Sequence, residues 1–137
     1  MFLQFYASLH VFIYKLSGGR IGGRIHGANV LLLTTMGWKT RKKRTRPLLY
    51  LRDGNRLVIV AANGGREKDP AWWRNLKHNP IGEVHVGNEK ETVYAQRASG
   101  SEKERLWALV TSMYPGYNEY QKRTKREIPI VVLIPKI

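Results

Sequence analysis

Apolar positions in this chain gather into short runs, and the spacing within them changes from strand-like to helical and back. Asn29–Thr35, Pro47–Arg52 and Arg56–Ala62 are strand-length stretches rich in leucine, isoleucine and valine. Asp53-Gly54 separates the second from the third and is a two-residue hairpin signal. Asn63-Gly64-Gly65 then breaks the sheet pattern. Asp69-Pro70 predicts the start of a short helix, with Asp69 as N-cap and Pro70 at the first helical position. That helix carries Ala71, Trp72, Trp73 and Leu76 and ends before Pro80. Adjacent helical residues point about 100° apart, so Trp72 and Trp73 are not expected to be equally buried.

Glu83–Val86 and Glu91–Arg97 predict another hairpin, around Gly87-Asn88. Ser101-Glu102-Lys103-Glu104 has the form of a capping box, and Leu106, Trp107, Leu109, Val110 and Met113 follow at helical spacing. Pro115 restarts a short helix with Tyr117 and Tyr120, and Ile128–Ile134 is a last apolar strand. At the other end, Met1 to Leu16 reads as an apolar, aromatic helix closed by the glycine-rich Ser17–Arg24. Strands dominate and come as adjacent hairpins, which argues against a parallel βαβ sheet. The expectation is an α+β, mainly β chain: a small six-stranded antiparallel barrel with peripheral helices, one domain over residues 1–137.

Charge narrows the partners. Twenty-four Lys and Arg against ten Asp and Glu leave a net charge of +14, which calls for an anion: nucleic acid, acidic lipid or a polyanionic small molecule. The chain has no cysteine, which removes disulfides, thiolate metal sites and thiol nucleophiles together. His10, His26, His78 and His85 are not paired at ligand spacing, so no metal site is expected. There is no G-x-S-x-G and no carboxylate pair that suggests glycosidase work. Met1 to Leu16 as a helix spans about 24 Å, short of the roughly 30 Å hydrocarbon core. It reads either as a helix covering one end of the barrel, the favoured reading, or as an interfacial helix at a membrane surface.

Three segments carry candidate chemistry. Six of the nine residues from Trp38 to Arg46 are Lys or Arg, with no acid among them. Read as a loop between two apolar strands, this run is either a solvated tip or an anion clamp in which Lys39, Arg44 and Arg46 converge on a phosphate. It lacks the helix-turn-helix, aromatic-strand or GXXG features of a nucleic-acid reader. Asn63-Gly64-Gly65 sits at a strand end, where backbone can approach a flat ligand closely. Tyr114, Tyr117 and Tyr120, spaced by three, fan over one side of a short helix, as ordinary packing or as a wall for an aromatic substrate.

In order and spacing these segments resemble the deazaflavin-dependent nitroreductases of actinobacteria, also called F420-dependent quinone reductases. The resemblance covers roughly Leu16 to Pro135. It rests on Val30-Leu31-Leu32-Leu33-Thr34-Thr35-Met36-Gly37-Trp38-Lys39-Thr40, on Pro47-Leu48-Leu49-Tyr50-Leu51-Arg52-Asp53-Gly54, and on Asn63-Gly64-Gly65 with Pro70-Ala71-Trp72-Trp73-Arg74-Asn75-Leu76. Tyr114-Pro115-Gly116-Tyr117 through Tyr120 to Ile128-Pro129-Ile130-Val131-Val132 completes it.

The resemblance implies a split β-barrel of the flavin-reductase type and coenzyme F420, rather than FMN, as cofactor. It implies a cofactor groove from Lys39, Thr40, Arg44, Pro47, Ala61, Ala62, Asn63, Gly64 and Trp72. Within it Lys39 and Arg44 face the phosphate and oligoglutamate tail, and Ala62 to Gly64 approach the deazaflavin by backbone. It implies Tyr114, Tyr117 and Tyr120 as the substrate wall, with Tyr117 the first choice of hydrogen-bond donor to a quinone, nitroaromatic or enone. It also implies a cytoplasmic protein with a possible membrane contact through residues 1–16. Arg41 stands where relatives often have glycine, Ala62 where some carry serine, and Trp73 where tyrosine is common. The alternatives are a non-catalytic flavin-like or lipid ligand binder of the same fold, then a basic nucleic-acid-binding module.

Overall fold

The computed structural model describes residues 11, 14–15, 24–25 and 28–136. Its strands are β1 (Arg24–Ile25), β2 (Ala28–Met36), β3 (Lys43–Asp53), β4 (Arg56–Val60), β5 (Ile81–Val86), β6 (Glu89–Arg97) and β7 (Ile130–Pro135). Its helices are α1 (Ala71–His78), α2 (Gly100–Met113) and α3 (Gly116–Arg123), and a 3-10 turn covers Asn63–Gly65. All strand pairings are antiparallel, in the order β1-β2-β3-β4-β7-β6-β5, and β2 pairs back onto β5. Six strands therefore close into the barrel that the run of hairpins predicts, with the two-residue β1 added outside β2.

Strand alternation divides the apolar residues between three clusters. Leu31, Leu33, Leu57, Ile59, Val84, Val93, Val131 and Leu133 fill the barrel together with Trp72, Trp73 and Leu76 of α1. The opposite faces of β4 and β7, with Val58, Val60, Ile130 and Val132, pack under Leu106 and Val110 of α2 and Tyr117 of α3. Val30 and Leu32 face outward from β2 and are covered by Tyr14 and Val11, both helical. The Tyr14 hydroxyl accepts the Gly87 N–H at 2.8 Å. The N-terminal helical residues thus lie on the outer wall at β2 rather than across a barrel end. The remainder of the expected Met1–Leu16 helix lies outside the described residues. No described helix is long and apolar enough to cross a membrane.

Four local expectations are corrected. The basic run is not all loop: β3 begins at Lys43, and Met36↔Lys43, Thr35↔Arg44 and Leu33↔Arg46 pair in register. Ladder bonds are made by backbone, so pairing continues past the last apolar side chain. Pro70, not Asp69, is the N-cap of α1, with no side-chain cap. Asp69 instead meets Lys77 Nζ at 2.8 Å and Arg126 Nη1 at 3.0 Å. Ser101 lies inside α2, whose N-cap is Ser99. Trp72 and Trp73 are buried alike, at 6% and 5% exposure. Because α1 plugs the barrel rather than lying on its surface, more than one of its sides is covered.

The barrel is incompletely zipped at one place. β2 and β3 pair from Met36↔Lys43 to Asn29↔Tyr50, but β3 and β4 pair only at Leu51↔Val58, Arg52↔Leu57 and Asp53↔Arg56. The Lys43–Tyr50 half of β3 has a strand on one side only, the kind of position where Pro47 is tolerated. A cleft opens along that free side.

Candidate active site

The cleft has a volume of about 960 Å³. Its β3 wall is Arg44, Arg46, Pro47 and Leu48, with Thr35 and Val60 behind. Asn63 and Arg66–Asp69 form the opposite wall, and Pro70, Ala71, Trp72, Arg74 and Asn75 close it from α1. Alternation along β3 explains the pairing of Arg44 with Arg46: residues two apart share a face. Arg44, Arg46, Arg66, Lys68 and Arg74 supply five positive charges against Glu67 and Asp69. Among the described residues none of those five is ion-paired, whereas Asp69 is held by both Lys77 and Arg126. An apolar wall beside uncompensated cations suits a flat ring carrying an anionic tail.

The hairpin tip is tied to α1. Asn75, buried, donates from Nδ2 to Thr35 Oγ1 at 3.0 Å and accepts the Trp38 N–H on Oδ1 at 3.2 Å. The Trp38 ring stacks on His78 at 4.3 Å and 6°. Lys39 lies over the Trp38 ring at 4.9 Å, and Thr40 Oγ1 accepts the Lys42 N–H at 3.2 Å. Lys39 and Thr40 are exposed at this tip and do not line the cleft.

Of the residues expected in the groove, Arg44, Pro47, Asn63 and Trp72 line the cleft. Ala61, Ala62 and Gly64 belong to the turn that forms its edge. The Ala61 side chain packs in the barrel and that of Ala62 under α2 and α3. Asn63, Gly64 and Gly65 have φ of 49°, 65° and 81°. A Cβ on Gly65 would stand 2.7 Å from the Tyr120 carbonyl oxygen, so glycine is what lets α3 close onto this turn.

The tyrosines lie on the other side of the turn. Tyr117 is buried at 6% exposure, with ring centroids 4.9 Å from Tyr114 and 6.3 Å from Tyr120. The Tyr114 and Tyr120 hydroxyls are hydrogen-bonded at 3.1 Å. Burial, then the neighbouring tyrosines, pushes the Tyr117 hydroxyl well above its ordinary pKa. The bond to Tyr120, then burial, raises Tyr114. None of the three lines the cleft.

Arg66, Lys68, Arg74, Asn75, Thr35 and Arg126 were not singled out by sequence. A strand reading begun at Lys43 pairs Arg46 with Arg44 at once. Arg74 and Asn75 follow Trp72 within one helical turn, but Arg126 is 57 to 65 residues from its partners and carries no local signal. Among the described residues no group of His, Asp and Glu is arranged to hold a metal.

Comparison with known proteins identifies the cleft's setting. The family model described as F420H(2)-dependent quinone reductase matches residues 7–135. An F420H(2)-dependent quinone reductase of Mycobacterium tuberculosis H37Rv is 45% identical over 129 residues, covering 91% of this chain and 87% of that protein. A second H37Rv protein described in the same terms is 36% identical over 106 residues, covering 77% and 89%. The solved structure of an F420-H2 dependent reductase, FDR-A, superposes with a TM-score of 0.70 at 37% identity, covering 76% of this chain and 92% of that one. The barrel is a split barrel, and the chain belongs to the F420H(2)-dependent quinone reductase family.

Proposed function

We propose that this protein binds reduced coenzyme F420 in the cleft between β3 and α1 and directs its hydride to a quinone. The observation that carries the reading is the meeting of five unpaired cations with an apolar wall in a chain of this family. F420 joins a flat deazaflavin to a phosphate and an oligoglutamate tail, so one molecule needs both surfaces. Arg44 and Arg46 hold phosphate or carboxylate oxygens, and Arg66, Lys68 and Arg74 extend the field along the tail. Lys39 and Thr40 at the hairpin tip meet its far end. Pro47, Leu48, Val60 and Trp72 take the ring, and the Ala61–Gly64 backbone supplies polar contacts at its edge.

When bound, the deazaflavin supplies two-electron hydride chemistry at C5. The residues around it exclude water, seat the acceptor over the ring and stabilise charge developing on the acceptor oxygen. Tyr117, packed under α2, anchors the tyrosine wall. The half-buried pair Tyr114 and Tyr120 is better placed to donate a hydrogen bond, and a tyrosine hydroxyl carries its proton at neutral pH. Nitroaromatics and activated enones present a comparable acceptor. Residues 1–16 offer an apolar contact with the membrane in which a lipophilic quinone dissolves.

The test is to titrate the protein with F420H2 and follow the deazaflavin absorbance after adding menadione. Protein-dependent reoxidation is the expected result. Binding without reoxidation by any quinone would replace the enzyme with a carrier, and binding of FMN but not F420 would overturn the cofactor.

A further inference from the structure

We propose that Arg126 is a positioning residue for the cofactor turn: its guanidinium holds the Ala61–Asp69 segment in the shape that presents backbone amides to the cleft. The proposal rests on the cofactor reading above. Arg126 stands between α3 and β7 and does not itself line the cleft. Its Nε–H donates to Arg66 O at 2.9 Å and Nη2 to Ala62 O at 2.8 Å. Nη1 donates to Ala61 O at 3.2 Å and to Asp69 Oδ1 at 3.0 Å. One planar group therefore joins the start, the far side and the end of the turn.

The turn needs such a brace. Three consecutive residues have positive φ, and Asn63 is not a glycine, so it sits in a sparsely favoured conformation. Its own bonds are few: Gly65 N–H to Ala62 O at 2.9 Å, Arg66 N–H to Asn63 O at 3.2 Å and Asn63 Nδ2 to Lys68 O at 2.9 Å. Among the described residues the Asn63 and Gly64 amides donate to no backbone carbonyl.

Peptide planarity turns the brace into a pointing device. Each carbonyl shares a rigid trans plane with the N–H of the next residue, which faces the other way. Holding the Ala61, Ala62 and Arg66 carbonyls toward Arg126 therefore directs the Ala62, Asn63 and Glu67 N–H groups away from it. Asn63 and Glu67 are cleft residues. Arg126 also helps neutralise Asp69, so the cleft is left more positive than its composition alone would make it. Lysine could match the charge but not the four bonds, because its donors radiate from one strongly hydrated point.

Arg126→Lys and Arg126→Ala in the full chain test this by two readouts. In the cofactor-free protein, hydrogen exchange of the Gly65 and Arg66 amides, which are bonded within the turn, should be faster in both variants while exchange in β2 and β7 stays at the wild-type rate. In titrations, F420 should bind Arg126→Lys roughly ten- to a hundredfold more weakly, with KM raised and kcat at saturation nearly kept. Millimolar guanidinium should restore Arg126→Ala toward wild type where equal sodium chloride does not. Wild-type exchange and affinity in Arg126→Lys would overturn the proposal, and so would uniformly faster exchange throughout the barrel, which marks a merely structural role. Failure of the wild-type protein itself to bind F420 would instead sink the cofactor reading, and amide exchange would still decide on Arg126.

Discussion

The cleft and the tyrosine face flank the same turn, yet they treat polar groups in opposite ways. On the side of α2 and α3, cations meet carboxylates: Arg56 and Arg105 hold Asp53, Lys103 meets Glu127 and Lys122 meets Glu119. The tyrosines there bury rings against one another, and the Tyr114 and Tyr120 hydroxyls share one hydrogen bond. In the cleft, five cations face solvent without carboxylate partners, and the one acid near them with strong partners is claimed from behind. A surface that closes its own interactions contributes to the fold. One that leaves like charges together gives up stability that a ligand can restore. That contrast supports the cationic cleft as the surface for the proposed ligand, and it leaves Tyr117, buried under α2, in a packing position.

The contrast can be broken most directly at Tyr117. Tyr117→Ala should cost about 3–5 kcal/mol of stability, read as a lower urea midpoint, because it empties a ring-sized space under α2. Tyr117→Phe should keep both stability and turnover. A tenfold fall in kcat for Tyr117→Phe would return that hydroxyl to the chemistry. Next in size is the hinge between the regions. Gly65→Ala should cost about 2–3 kcal/mol, since it adds a Cβ at positive φ against the Tyr120 backbone, and calorimetry should show a lower Tm.

Arg44→Ala sharpens the comparison from the other side. It should weaken F420 binding by about 2 kcal/mol, roughly thirtyfold, and flatten the salt dependence of binding, while Tm does not fall. A stability loss comparable to that of Gly65→Ala would show that Arg44 holds the fold. The smallest effect is at Asp53, whose carboxyl is held down to about 2 by hydrogen bonds from Arg105 and then Arg56. A carboxyl with a folded pKa below its unfolded value stabilises above the unfolded value and loses that contribution as pH falls through the folded one. Between about pH 4 and pH 2 the wild type should therefore lose more stability than Asp53→Asn. The pair is solvent-exposed, so the difference should stay below about 1 kcal/mol. Equal acid sensitivity of the two proteins would show that this pairing adds nothing to the closed side.

Much of the fold was legible because its signals are local. Gly87-Asn88 is the turn expected there, the β3–β4 turn falls one residue past the Asp53-Gly54 signal, at Gly54-Asn55 with Asp53 pairing Arg56, and β2, β4 and β7 each coincide with an apolar run to within two residues at either end. The start of β3 was not legible, because Lys43 to Arg46 read as loop by charge while their backbone pairs with β2. Nor was the cap of α1, because Asp69 found two cations instead of a helix N–H. Half of the site followed the same division. Arg44, Pro47, Asn63 and Trp72 lie in motifs and in the cleft; Lys39 and Thr40 lie in a motif but at the tip; Arg66, Lys68 and Arg126 have no motif at all.

Sequence alone determined the inventory: six strands in hairpin order, three short segments able to carry chemistry, an excess of positive charge and no thiol. These follow from properties each residue carries with it, namely side-chain charge, hydrophobic period and the φ that glycine or proline permits. Tertiary structure decided which cations are left without partners, which tryptophan faces are covered and which arginine orients the turn. Those outcomes depend on distances between segments dozens of residues apart, and the three-pair limit on β3–β4 zipping, which opens the cleft, exists only once the barrel has closed.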